Sequence, residues 1–304
     1  MKALFFGTSA FAVPSLHALA QRGILAGVVT QPDRPAGRGH RLTPSPVKAA
    51  ALELGAPIFE PQQLRTFATE IASEEFDLFA LASYGRILPT ALLQAPRLGA
   101  LNVHPSLLPA YRGATPIQTA LRSGETQTGV SIMLMDAGMD TGDIVLAQSV
   151  KIETDESYGA LHDRLALLGA QLLGRAIDLA RVGPLPRTPQ SGEPSVTRPI
   201  GRGDLGIDWC WPAMRIVNHI RAYSPQPAAR ASLCGEIVKI PAASVATVDS
   251  SPMQPGSVLG IVGESIRVAC SDGAVSIEAV IAPNRGRESG AQFYRRARRV
   301  SVNR

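Results

Sequence analysis

Asn102 and His104 stand two residues apart in the segment 98–116, LGALNVHPSLLPAYRGATP, and Asp140 follows in the segment 130–148, VSIMLMDAGMDTGDIVLAQ. A carboxamide N–H stabilises an oxyanion, an imidazole moves or shields a proton, and a carboxylate orients the imidazole or takes an amine's proton. Together the three groups suit acyl transfer.

Strands must position them. The apolar run of Ala100, Leu101 and Val103 predicts a short strand, and Pro105 and Pro109 prevent a helix or a paired strand from continuing beyond it. Residues two apart on a strand share a face, so Asn102 and His104 point into one cleft. The second segment predicts a strand, a Gly-rich turn with Asp136, Asp140 and Asp143, and a second strand. Ligands of open α/β sheets bind beyond the carboxyl ends of the strands, which is where both polar segments fall.

Other chemistries fit these residues less well. Asp136 and Asp143 are read as turn stabilisers, because Asp bonds its own backbone in tight turns and the spacing is not that of a calcium loop. A hydrolase built from Ser106, His104 and Asp140 lacks a nucleophile elbow. Only Gly7 stands where a dinucleotide site needs GxGxxG, which excludes a nicotinamide or flavin cofactor.

The run NVHPSLLPAYRGATPIQ (102–118) followed by MDAGMDTGD (135–143) resembles the active-site signature of the folate-dependent formyltransferases. The resemblance implies that Asn102, His104 and Asp140 are catalytic, that Ser106, Leu107, Leu108 and Pro109 help to hold the folate, and that no metal is required. It implies 10-formyltetrahydrofolate as formyl donor and the α-amine of methionine on initiator tRNA as acceptor. The loop 31–48, QPDRPAGRGHRLTPSPVK, corresponds to a family loop that contacts the tRNA acceptor arm, so Arg38 and Arg41 are read as tRNA contacts. A formyltransferase for a nucleotide-linked amino sugar uses a similar Asn, His and Asp set, and a hydrolase of the same folate remains open too. A nucleic-acid-binding protein with an inactive enzyme domain is the rival from another class.

Along the chain, strands are predicted at 3–6, 25–30 and 77–82, alternating with helices at 11–19, 46–54, 67–73 and 117–121. Tyr84-Gly85-Arg86 follows the third strand, either lining the cleft or serving as a plain turn. This alternation predicts an α/β fold: a Rossmann-like, mostly parallel sheet with helices on both faces. A long helical period over 158–182 closes that domain, placing its limits at 1–182. The stretch 183–200, rich in Pro, Gly, Ser and Thr, predicts an extended, exposed linker. Beyond it a helix at 214–222 and several short apolar runs predict a small β-barrel at 201–304, OB-like in type. The family's corresponding domain is such a barrel and contacts tRNA. Ile207-Asp208-Trp209 and Arg221-Ala222-Tyr223-Ser224-Pro225 resemble its segments, whereas RPIGRGDLG (198–206) and YRRARRVSVNR (294–304) depart from them.

At 304 residues and 45% hydrophobic content the chain is long enough for two cored domains. Residues 1–200 carry 17 basic and 17 acidic side chains, whereas 201–304 carry 13 and 8, so the entire excess of +5 lies in the last third. A basic module beside a neutral one favours a polyanionic partner. Arg295, Arg296, Arg298 and Arg299 are read as a solvated helix face. Cys210, Cys234 and Cys270 form neither a disulfide framework nor a zinc motif, in keeping with a reducing cytoplasm. No signal peptide or membrane span is expected, and a monomer is.

Overall fold

The computed structural model describes residues 1–36, 41–247 and 253–302. It divides into two compact units, one of Met1–Pro116, Gln127–Val150 and His162–Arg198, the other of Ile117–Thr126, Lys151–Leu161 and Pro199–Arg304.

Seven strands form the sheet of the first unit, in the order Ile144–Lys151, Gln127–Leu134, Ala100–His104, Leu78–Ala82, Ala3–Gly7, Leu25–Val29 and Ile58–Phe59. From Ala100–His104 to Ile58–Phe59 all neighbours run parallel, and Gln127–Leu134 is antiparallel to Ala100–His104. The two central strands, Ala3–Gly7 and Leu78–Ala82, are buried at every residue, as strands covered on both faces must be. Ile144–Lys151, at the edge, mixes buried and exposed positions.

Side-chain alternation sends Ala100, Asn102 and His104 to one face of the sheet and Leu101 and Val103 to the other. Ala100 joins a core of Leu4, Phe6, Phe79, Leu81 and Leu92 with Leu64 and Phe67 of the helix Leu64–Glu70. On the opposite face Val103 meets Gly169 of the long helix Tyr158–Val182, where the lack of a side chain lets the helix approach. Helices therefore cover both faces, and Asn102 and His104 stand where one apolar layer ends. Pro46–Glu53, another helix of this unit, starts at Ser45, whose hydroxyl accepts the Lys48 N–H at 3.0 Å, with Pro46 at its first position.

Two short pairings add to this frame. Arg34–Ala36 and Arg41–Thr43 form an antiparallel ribbon within the basic loop. Arg112–Gly113 pairs in parallel with Val196–Thr197, so the mostly exposed 183–198 stretch contributes a strand to the first unit.

The second unit is β-rich, with an antiparallel sheet of six strands between Ala229 and Ser289. Its longest strand, Glu236–Ala246, shifts register between Lys239 and Ala243. Pro241, which has no N–H for the ladder, lies at that irregularity, the place within a sheet where proline is tolerated. Ile216 and Ile220 of the helix Ala213–Ala222, with Tyr223 at its C-terminal cap, form one stripe and pack with Leu233, Ile240, Val268, Ile277 and Phe293. Arg221 of the same helix donates to the carbonyls of Glu153 and Thr154, and Ile207 N–H donates to Arg230, so both family-like segments tie this unit together. Arg295, Arg298 and Arg299 are exposed, as expected, but Arg296 is half-buried and pairs with Glu236 and Glu288 at 3.2 and 2.9 Å. Among the described residues no helix is long and apolar enough to cross a membrane.

Candidate active site

His104 ends its strand, opposite Ser131, and is 4% exposed. Its Nε2 lies 3.0 Å from the Tyr111 carbonyl oxygen, and because a carbonyl only accepts, Nε2 carries a proton and donates it there. That leaves Nδ1 as the nitrogen free to gain a proton. Nδ1 faces Asp140 Oδ2 at 3.6 Å. The two expected residues thus meet, although they come from different strand ends. Burial holds the His104 pKa below the ordinary histidine value, and the Asp140 charge and Tyr111 carbonyl oppose that effect.

The turn carrying Asp140 is closely held. Asp140 Oδ2 accepts the Gly113 N–H at 2.7 Å. The Asp136 carboxylate accepts from Gly138 N–H at 3.0 Å and Thr141 hydroxyl at 2.6 Å, the turn-stabilising role its type predicts. A Cβ on Gly142 would collide with the Leu134 carbonyl oxygen, so this turn closes only with glycine there. Asp140 and Tyr111 both adopt left-handed backbone, with φ of 54° and 59°. Such conformations cost free energy in non-glycine residues and persist where neighbours over-determine them. Here Tyr111 N–H donates to Ser195 Oγ at 2.8 Å while its carbonyl accepts from His104.

Asn102 is half-buried on the same face as His104, paired in the ladder with Leu81 and Met133. Among the described residues its carboxamide meets no hydrogen-bond partner, which leaves its N–H groups available to an incoming oxygen. The loop that follows is braced from inside. Ser131 Oγ donates to the Ser106 carbonyl at 2.8 Å and accepts the Leu108 N–H at 3.1 Å, both in buried surroundings. Ser106 is fully buried and its hydroxyl is committed to the Ala110 carbonyl, whereas Leu107 and Pro109 remain half-exposed. Any surface this loop offers a ligand is thus made by Leu107, Pro109 and backbone, with the Ser106 side chain holding the loop's shape.

Neighbouring strand ends are linked as well. Ser9 and Ser83 hydroxyls bond at 2.7 Å, and Thr8 Oγ1 donates to the Tyr84 carbonyl at 3.0 Å. Arg86 donates to the carbonyls of Pro61 and Gln62, and with Ile87, Pro89, Gln62, Gln63 and Leu64 it lines a cavity of about 650 Å³. Tyr84-Gly85-Arg86 is therefore a turn whose arginine borders a recess. Arg38 lies outside the described residues, and Arg41 enters only through its backbone pairing with Ala36. Among the described residues no three His, Cys, Asp or Glu side chains group as metal ligands would.

Residues 1–177 match the family described as formyl transferase, and residues 199–298 match the formyl transferase C-terminal domain. The chain belongs to the formyl transferase family. Within that family it is 44% identical over 304 residues to the methionyl-tRNA formyltransferase of Xanthomonas euvesicatoria pv. vesicatoria, with 98% of each chain covered. It is 41% identical over 299 residues to that of Pelotomaculum thermopropionicum, covering 97% of this chain and 95% of that one. Among solved structures, the N-formyltransferase from Helicobacter canadensis in complex with folinic acid and dTDP-3-aminofucose superposes with a TM-score of 0.68 at 18% identity, covering 91% of this chain and 98% of that one. HypX from Aquifex aeolicus, in complex with tetrahydrofolic acid, superposes with a TM-score of 0.67 at 17% identity, covering 98% of this chain and 47% of that one. This chain thus spans about half the length of HypX, and likenesses at such identities concern the fold. The Rossmann-like fold of this formyl transferase is shared with both.

Four supports of the site carry no signal in the motif's residue types: the Tyr111 carbonyl, the Gly113 N–H, Ser131, and Gln190, whose Nε2 donates to the Asp140 and Gly142 carbonyls. The first two lie inside the quoted motif but act through backbone atoms, which carry no residue-type signal. Ser131 stands out only as a small polar residue in an apolar strand, a signal that a buried hydroxyl must have partners.

Proposed function

We propose that this enzyme transfers the formyl group of 10-formyltetrahydrofolate to the α-amino group of methionyl-initiator tRNA. The observation that carries this reading is the 44% identity to methionyl-tRNA formyltransferases, which runs through both family regions of the chain. In the reaction the amine adds to the formyl carbon and the folate nitrogen N10 leaves, so one proton passes from the attacking amine to the departing one.

Each of the three residues has a part in that exchange. The Asn102 N–H donates to the oxyanion that forms on the formyl oxygen. His104 takes the amine's proton at Nδ1, since its Nε2–H is held by Tyr111. Asp140 stabilises the resulting imidazolium, whose positive charge also favours the oxyanion, and the same Nδ1 proton is handed to the leaving nitrogen. Leu107, Pro109 and the loop backbone supply the surface against the folate, its shape held by the buried side chains of Ser106 and Leu108. Arg38 and Arg41 contact the tRNA backbone.

In this reading 1–182 is catalytic, 183–200 connects it to a tRNA-binding domain at 201–304, and the enzyme works as a cytoplasmic monomer. Its test is an acceptor comparison with one formyl donor: methionyl-initiator tRNA is formylated, and a nucleotide-linked 3-amino sugar is not. Formylation of the sugar alone contradicts the assignment.

A further inference from the structure

We propose that Gln190 is a positioning residue for the reaction, its carboxamide clamping the turn that carries Asp140 so that the carboxylate meets His104. This rests on the reading that Asp140 works together with His104.

Gln190 Nε2 donates to the carbonyl oxygens of Asp140 and Gly142 at 2.8 and 2.9 Å. Its Oε1 accepts from Arg112 Nε and Nη2 at 3.2 and 2.6 Å. Arg112 precedes Gly113, whose N–H holds the Asp140 carboxylate. A closed ring results: Gly113 fixes the side chain of Asp140, Gln190 fixes its main chain, and Arg112 links the two.

Position and strain both argue that the ring serves the carboxylate. Of residues 186–196 every one is exposed except Gln190, and besides Ser195, whose Oγ holds the Tyr111 N–H, it is Gln190 whose side chain bonds to the site's loops. Asp140 has left-handed backbone at φ 54°, a conformation that relaxes unless its flanking groups are held. Two N–H···O bonds to the turn's own carbonyls supply that hold, and the Thr188–Ile144 bridge anchors the chain two residues before Gln190.

The test uses the full-length chain with Gln190→Glu, Gln190→Met and Asp140→Ala, measuring kcat, KM for each substrate and melting temperature. Gln190→Glu keeps an acceptor for Arg112 but sets carboxylate oxygen against two carbonyl oxygens, so it separates clamping the turn from merely seating Arg112. Misplacing a reacting group by about 1 Å costs on the order of 100-fold, so both Gln190 variants lose about 10- to 100-fold in kcat with KM for tRNA and melting temperature near the parent. Gln190→Glu does no better than Gln190→Met. Near-parental kcat in Gln190→Glu beside an inactive Asp140→Ala overturns the proposal, as does a loss of activity that cooling restores. Parental turnover in Asp140→Ala overturns instead the reading on which it rests.

Discussion

Replacing Asp140 with Asn tests the charge separately from the shape. The variant keeps the side chain's size and an oxygen for the Gly113 N–H, and it removes the negative charge 3.6 Å from His104 Nδ1. At that distance two unit charges attract by about 1 kcal/mol in water and by about 4–5 kcal/mol at an effective dielectric of ~20. The His104 and Asp140 side chains are only 5% and 15% exposed, so the site lies nearer the second figure. At about 1.4 kcal/mol per factor of ten, the imidazolium becomes ~10- to 10³-fold harder to form, and the chemical step slows to match.

Single-turnover formylation of charged initiator tRNA at saturating donor reads this directly. Dissociation constants for both substrates stay within about twofold of the parent, because the lost interaction belongs to the transition state. The pH profile has a fixed sign. Burial already lowers the His104 pKa and the Asp140 charge raises it, so Asp140→Asn lowers it further. A histidine that must be neutral to accept a proton then stays active to lower pH, and the acidic limb moves down. A rate near the parent's, or a limb that moves up, refutes the account of His104 and Asp140.

Three further outcomes are expected. Ser131→Ala strips buried partners from the Leu108 N–H and the Ser106 carbonyl, costing about 1–3 kcal/mol in a denaturant melt and raising KM for the formyl donor more than it lowers kcat; an unchanged melt and KM contradict the bracing role. His219 is buried against Trp211 and Tyr223 with its pKa pushed down to about 4, chiefly by burial. Between the ordinary value of about 6.5 and that point the unfolded chain takes up a proton that the folded chain refuses, so stability falls with falling pH by about 3 kcal/mol in all. His219→Phe flattens that slope in melts across the window, and a parental slope in the variant contradicts the assignment. Arg38→Glu and Arg41→Glu weaken tRNA binding and reduce its salt dependence while kcat at saturating tRNA persists; an unchanged salt slope argues against phosphate contact.

Much of this site was legible before any coordinates, for local reasons. The strand Ala100–His104 is an apolar run stopped by Pro105, and the turn at 135–143 is punctuated by glycine and aspartate. The common edge expected for their strand ends is not what forms: Gln127–Leu134 runs antiparallel to Ala100–His104 with Leu134 opposite Leu101, and it is the 135–143 turn that brings Asp140 to His104. Their supports were not legible because they depend on backbone atoms and on pairings distant in sequence. Gln190 sits in a stretch whose Pro, Gly and Ser content signals only an extended connection, and its acceptors are main-chain carbonyls. The pairing of Arg112–Gly113 with Val196–Thr197 is two residues long, too short for any periodicity to announce. Arg296 misled in another way: the other three arginines of its helix are exposed, and its two glutamate partners lie on strands, one of them far away in sequence.

Mass spectrometry of initiator tRNA charged with methionine, after incubation with the enzyme and 10-formyltetrahydrofolate, tests the central claim most directly. The account predicts one formyl group on the methionine amine with the parent enzyme and none with His104→Ala that still binds tRNA. Formate released without formylated tRNA, or full formylation by His104→Ala, would contradict it.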